Sequence, residues 1–89
     1  MEHKEEKILE MFRLILQMET VGDCKALFED LCTRKELEKM AERVYAAKLL
    51  MEGKTYTQVI AEADISSATL SRVPQCVQYG QGYSRFLKK

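Results

Sequence analysis

Two hydroxyl residues, each followed three positions later by a carboxylate or carboxamide, divide this chain into helices. Thr33 with Glu36 and Thr55 with Gln58 have the spacing of capping boxes: the hydroxyl accepts an orphan N–H of the first turn, and the third side chain reaches back to the cap's own N–H. Gly53, between the two boxes, suits the left-handed residue that ends a helix. One helix therefore runs from just after Thr33 to Gly53. Its apolar positions Leu37, Met40, Ala41, Val44, Ala47 and Met51 recur at helical spacing, with Arg43 and Lys48 on other faces, so it is expected to be the central strut. A second helix of about eight residues opens after Thr55 and runs through Val59, Ile60 and Ala63. Asp64-Ile65 makes a turn, with Asp64 in the left-handed conformation that aspartate tolerates. Ser66 or Ser67 then caps another short helix, with Leu70 and Val73 facing inward. Two short helices joined by so tight a turn predict a helix-turn-helix.

Upstream, Ile8, Met11, Phe12, Ile15 and Met18 follow helical spacing, but Leu9, Leu14 and Leu16 are apolar too. Only Glu6, Glu10, Arg13 and Gln17 keep a narrow polar stripe. A chain of 89 residues is short for a large private core, so the simplest burial for this all-round apolar helix is a second copy of the chain. Val21-Gly22-Asp23 is expected to break that helix before a short second one marked by Cys24, Leu27, Phe28 and Leu31. The predicted fold class is all-α: a helix-turn-helix domain in an intertwined helical homodimer. Within a single domain, 1–32 carries the dimerisation helices, 33–53 the central helix, 55–73 the helix-turn-helix, and 74–89 a short helix and tail.

The formal charge is zero, yet residues 1–52 hold nine Lys/Arg against twelve Asp/Glu, a net of −3, and residues 53–89 five against two, a net of +3. That balance argues against strong non-specific nucleic-acid binding and leaves room for a local basic surface on the second half. No apolar run approaches ~18 residues and no signal pattern opens the chain, so a cytoplasmic protein with no membrane partner is expected. Cys24, Cys32 and Cys76 are an odd number, and on one helix the first two would lie about 12 Å apart, beyond disulfide reach. They read as reduced, mostly buried thiols. Neither C-x-x-C spacing nor a base beside a nucleophile is present, and the single histidine is His3; no catalytic residue, metal ligand or cofactor is assigned.

Short hydroxyl side chains at the start of a recognition helix can approach base edges in the major groove. Ser66, Ser67, Ala68, Thr69 and Ser71 fit that use, and Lys54 and Gln58 on the preceding segment complete the expected DNA-facing set. The partner so implied is a double-stranded DNA operator. Pro74 cannot donate an amide hydrogen bond and disfavours helical geometry at Val73, so the recognition helix should stop or kink there, with Pro74 opening a further short helix through Val77 and Tyr79.

Thr33-Arg34-Lys35-Glu36-Leu37-Glu38, Arg43, Leu50-Met51-Glu52-Gly53-Lys54-Thr55-Tyr56 and Ala68-Thr69-Leu70-Ser71-Arg72 resemble the tryptophan-repressor family, in particular its YerC/YecD-like branch, over residues 28–83. The resemblance implies an intertwined helical homodimer that binds an operator through its helix-turn-helix. It also implies an effector pocket between the central and recognition helices, with Arg43, Arg72 and Thr33 at the matching positions. Val73 stands where the repressor has a glycine against its ligand, and Cys76 near a serine that helps hold the amino group. A valine there is expected to fill the cavity, and a thiol is a poorer hydrogen-bond partner, so a small anionic effector other than tryptophan is expected. The function so read is a sequence-specific DNA-binding transcriptional repressor. The alternative is a dimeric protein-interaction module whose helix-turn-helix no longer reads DNA.

Overall fold

The computed structural model describes residues 3–87, and among them every regular element is a helix. In chain order these are α1 (Lys4–Ile15), α2 (Val21–Leu31), α3 (Arg34–Met51), α4 (Tyr56–Ala63), α5 (Ser67–Leu70), α6 (Val73–Tyr79) and α7 (Gly82–Phe86). They form two compact units, Met1–Leu37 and Glu38–Lys89.

In the N-terminal unit the break between the first two helices comes earlier than the sequence suggests. α1 ends at Ile15, and the chain tightens as Gln17 N–H donates to the Leu14 carbonyl (3.0 Å) and Met18 N–H to that of Ile15 (3.2 Å). Val21, Gly22 and Asp23, expected to be the breaker, are instead the first turn of α2. The reason is a cap: Thr20 is extended, its Oγ1 accepts from Asp23 N–H at 3.0 Å, and the Asp23 carboxylate accepts from Glu19 N–H at 3.0 Å. Reciprocal hydrogen bonds of this kind outweigh the weak helix propensity of one glycine.

Thr33 and Glu36 form the second such start. Glu36 N–H donates to Thr33 Oγ1 (3.1 Å) and Thr33 N–H to Glu36 Oε1 (2.8 Å). The backbone N–H of Glu19 lowers the pKa of Asp23, helped by Thr20, and the backbone N–H of Thr33 lowers that of Glu36, helped by the Thr33 side chain. For a carboxylate with a depressed folded pKa, the stabilisation is present above the unfolded value and is lost as pH falls through the folded one. Acidification below about pH 4 should therefore loosen the starts of α2 and α3. Circular dichroism should show that an Asp23→Asn, Glu36→Gln double variant loses less helix over that acid limb than the parent; superimposable acid limbs would contradict this.

The second unit holds the core. Ala46, Ala47, Leu49, Val59, Ile65, Leu70 and Val73 are buried, with Leu50, Ile60, Ala63, Val77, Tyr83 and Leu87 packed against them. On α3 the buried face is thus Ala46, Ala47 and Leu49, rather than the full Leu37-to-Met51 stripe expected from spacing; Val44 is 46% exposed. α3 ends in a Schellman motif: Gly53 sits at φ +96°, its N–H donates to the Leu50 carbonyl, and Lys54 N–H donates to that of Leu49. α4 opens on the Thr55–Gln58 capping box and closes at Asp64, left-handed at φ 53°. Ser66 caps α5, accepting from Thr69 N–H at 3.1 Å.

The helix expected to serve recognition is shorter than the sequence suggests. α5 ends at Leu70, and Val73 begins α6 while remaining buried. Ser71 and Arg72 keep right-handed dihedrals between the two, so the interruption is a tightening rather than a turn. Pro74 lies in the first turn of α6, where its missing N–H breaks no intrahelical hydrogen bond. The three thiols are free as expected but less buried: Cys24 is exposed, Cys32 and Cys76 half-buried. No helix among the described residues is long and apolar enough to cross a membrane.

Candidate nucleic-acid interface and adjoining cavity

α4, the Asp64–Ser66 turn and α5 hold together through Val59, Ile65 and Leu70, all buried beneath the turn. Above them lie the hydroxyl residues, and most have local partners. Ser66 Oγ caps α5, and Ser71 Oγ donates to the Ala68 carbonyl at 2.9 Å. Gln58 lends its side-chain carbonyl to Thr55 N–H at 2.9 Å, leaving its amide hydrogens as donors. Lys54 Nζ lies 3.3 Å from Glu62 Oε1, so this expected phosphate contact carries its own counter-ion. Ser67 and Ala68 present exposed side chains, while Thr69 is half-buried.

Two residues outside the expected set shape this surface. Tyr56, the first residue of α4, donates its hydroxyl to the Ser67 carbonyl at 3.4 Å and so ties the two short helices together. Lys39 reaches from α3, donating from Nζ to Thr69 Oγ1 at 3.3 Å. The available signal for Lys39 is its place four residues before Arg43, on the same helical face; for Tyr56 no sequence pattern announces the contact.

Beside α5 lies a cavity of about 430 Å³. Arg43 of α3 and Arg72 line it, together with Ala68, Thr69, Ser71, Val73, Cys76 and Tyr83. Neither guanidinium forms an ion pair among the described residues, and Glu62 is bonded to Lys54. Two cationic groups without counter-ions around one hollow make it receptive to an anion, and a guanidinium favours planar carboxylate or phosphate oxygens. Val73 does not close this space as expected: it is 2% exposed and belongs to the core cluster, yet it lines the cavity, which persists beside it. Thr33, the third expected effector contact, is engaged in the cap of α3. Tyr83, which the sequence did not assign to this site, both packs on the core and lines the cavity. Among the described residues no group of His, Cys, Asp and Glu is arranged to hold a metal ion.

Comparison with known proteins places these features in context. A family model described as Trp repressor protein matches residues 6–89. The uncharacterized protein YerC of Bacillus subtilis (strain 168) is 39% identical over 71 residues, which cover 80% of this chain and 68% of that one. A crystal structure from Staphylococcus aureus, of a protein provisionally described as a Trp repressor, superposes with a TM-score of 0.86 at 35% identity, covering 92% of this chain and 83% of the other.

Proposed function

Because the chain belongs to the Trp repressor family, we propose that it is a homodimeric, sequence-specific DNA-binding transcriptional repressor. The observation that carries this reading is the capped pair α4 and α5, which displays short side chains on a packed base of Val59, Ile65 and Leu70. Pairing through the N-terminal helices is supported by exposure: no residue of α1 or α2 is buried, and Phe12 and Leu16 are 52% and 82% exposed. Apolar area of that extent is stable in water when a second surface covers it. Within a dimer the domain parts keep their sequence-read roles, with α1 and α2 for assembly and α4 and α5 for the operator.

The division of labour gives the test. Thr69→Ala and Ser71→Ala should change base preference at one or two positions of a selected site. Lys54→Ala should weaken binding evenly across sequences and lower the salt slope by at most about 1, because Glu62 already shares its charge. Fluorescence anisotropy on matched and mismatched duplexes over a salt series reads both; equal, uniform losses from all three changes would remove the groove assignment. Local pairing of Lys54, Ser66 and Ser71 favours one rival, a dimeric interaction module that no longer reads DNA. For that rival, matched and mismatched duplexes would bind alike.

The cavity between Arg43 and Arg72 is assigned to a small anionic effector other than tryptophan, whose hold would orient α5 for the groove. Calorimetric titration should show a carboxylate- or phosphate-bearing metabolite binding the parent chain at least about tenfold more tightly than Arg43→Ala, as expected for one lost charge-assisted hydrogen bond. Val73→Gly should enlarge the cavity and admit bulkier acids while lowering stability. Heats absent from all three proteins, alongside DNA binding that needs no additive, would make the regulator constitutive.

A further inference from the structure

The Lys39–Thr69–Ser66 cluster is explained neither by the packing of the core nor by the effector cavity. Lys39 Nζ lies 3.3 Å from Thr69 Oγ1, which in turn lies 3.0 Å from Ser66 Oγ, and Thr69 N–H donates to that same Ser66 oxygen at 3.1 Å. We infer that Lys39 is a specificity-determining residue of the reader, one that orients the Thr69 and Ser66 hydroxyls as an acceptor–donor pair matching the major-groove edge of adenine. The inference rests on the DNA-binding reading of α5.

Hydrogen-bond capacity fixes the direction. An ammonium only donates, whereas a hydroxyl offers one hydrogen and two lone pairs. Lys39 therefore occupies one lone pair of Thr69 Oγ1. A hydroxyl that accepts from a cation becomes a better donor, so the chain runs head to tail from Lys39 to Thr69 to Ser66. Ser66 Oγ then accepts twice from Thr69, through its N–H and its O–H, and its own hydrogen is left over. Thr69 keeps one lone pair. The exposed hydroxyl of Ser66 thus faces outward as a donor beside an acceptor on Thr69.

Among the four bases, adenine alone presents an acceptor, N7, next to a donor, N6–H₂, on its major-groove edge; guanine offers two acceptors, thymine O4 only and cytosine N4–H₂ only. Without Lys39 the Ser66–Thr69 hydrogen bond can run either way. The pair then presents a donor or an acceptor at either oxygen, and the preference for adenine relaxes. Lys39 does not need to touch DNA for this effect, which separates it from a phosphate contact.

The experiment is selection of bound duplexes from a random pool by the full-length protein, in the parent form and as Lys39→Met, Lys39→Arg and Thr69→Val. Melting curves confirm that each variant is folded. The parent should enrich adenine at one position per half-site. Lys39→Met and Thr69→Val should each reduce discrimination at that same position, by between about two- and tenfold, the range of a single hydrogen bond. Lys39→Arg, also a pure donor, should keep it. Parent sites with no adenine requirement would overturn the inference while leaving DNA binding intact. So would a Lys39→Met profile that keeps the adenine preference or loses affinity evenly at every position. A parent protein that enriches no sequence would overturn the DNA reading and this inference together.

Discussion

Replacing Leu70 with alanine should lower the unfolding free energy by about 2–5 kcal/mol and, with it, abolish the DNA binding proposed for α5. Leu70 is completely buried, on the one-turn helix α5, within the cluster that Ala46, Ala47, Leu49, Val59, Ile65 and Val73 complete. Truncation removes both its transfer free energy and its packing partners, and a helix of four residues has little hydrogen bonding of its own to keep its place. Urea unfolding at a fixed chain concentration measures the loss, because assembly shifts apparent stability by mass action. A change below about 0.5 kcal/mol, inside the range of ordinary surface substitutions, would show that α5 does not depend on this core.

The second large effect is expected from Ile15→Asp at the end of α1. In one chain Ile15 is only half-buried, and Ile8, Leu9, Phe12 and Leu14 on the same helix are exposed. Should a partner cover this helix, aspartate would bury an unpaired charge at a cost of at least about 3 kcal/mol, roughly a hundredfold in the dissociation constant. Sedimentation across a concentration series should show a dimer for the parent and monomer or unfolded chain for the variant. A parent protein that stays folded and monomeric at high concentration would contradict the pairing.

The parts of the fold legible in the sequence were those fixed by local hydrogen bonds. Thr33–Glu36, Thr55–Gln58, Gly53 and Asp64 each determine a helix end through a few neighbouring atoms, and each is found where the residue pattern places it. The Thr20–Asp23 cap obeys the same rule, but Gly22 beside it reads more loudly as a break than the cap reads as a start. Which face of α3 is buried was legible only at Ala47: Ala46 and Leu49, outside the expected stripe, are buried beside it because of the residues that pack on them. The same limit applies to the site. Residue types proposed Arg43 and Arg72, and the structure brings both to one cavity, whereas Tyr56 and Lys39 owe their places to hydrogen bonds with residues 11 and 30 positions away. Val73 shows the converse: identity alone suggested a filled pocket, yet it sits in the core cluster and lines a space that stays open.

A two-fold symmetric chain pair that reads DNA would reveal itself in the selection of bound duplexes from a random pool by the parent protein alone. Such a pair should enrich an inverted repeat whose half-sites are centred about 34–36 Å apart, or a multiple of that spacing, since two recognition helices related by a dimer axis meet successive major grooves. Recovery of a pool no different from its input would contradict it.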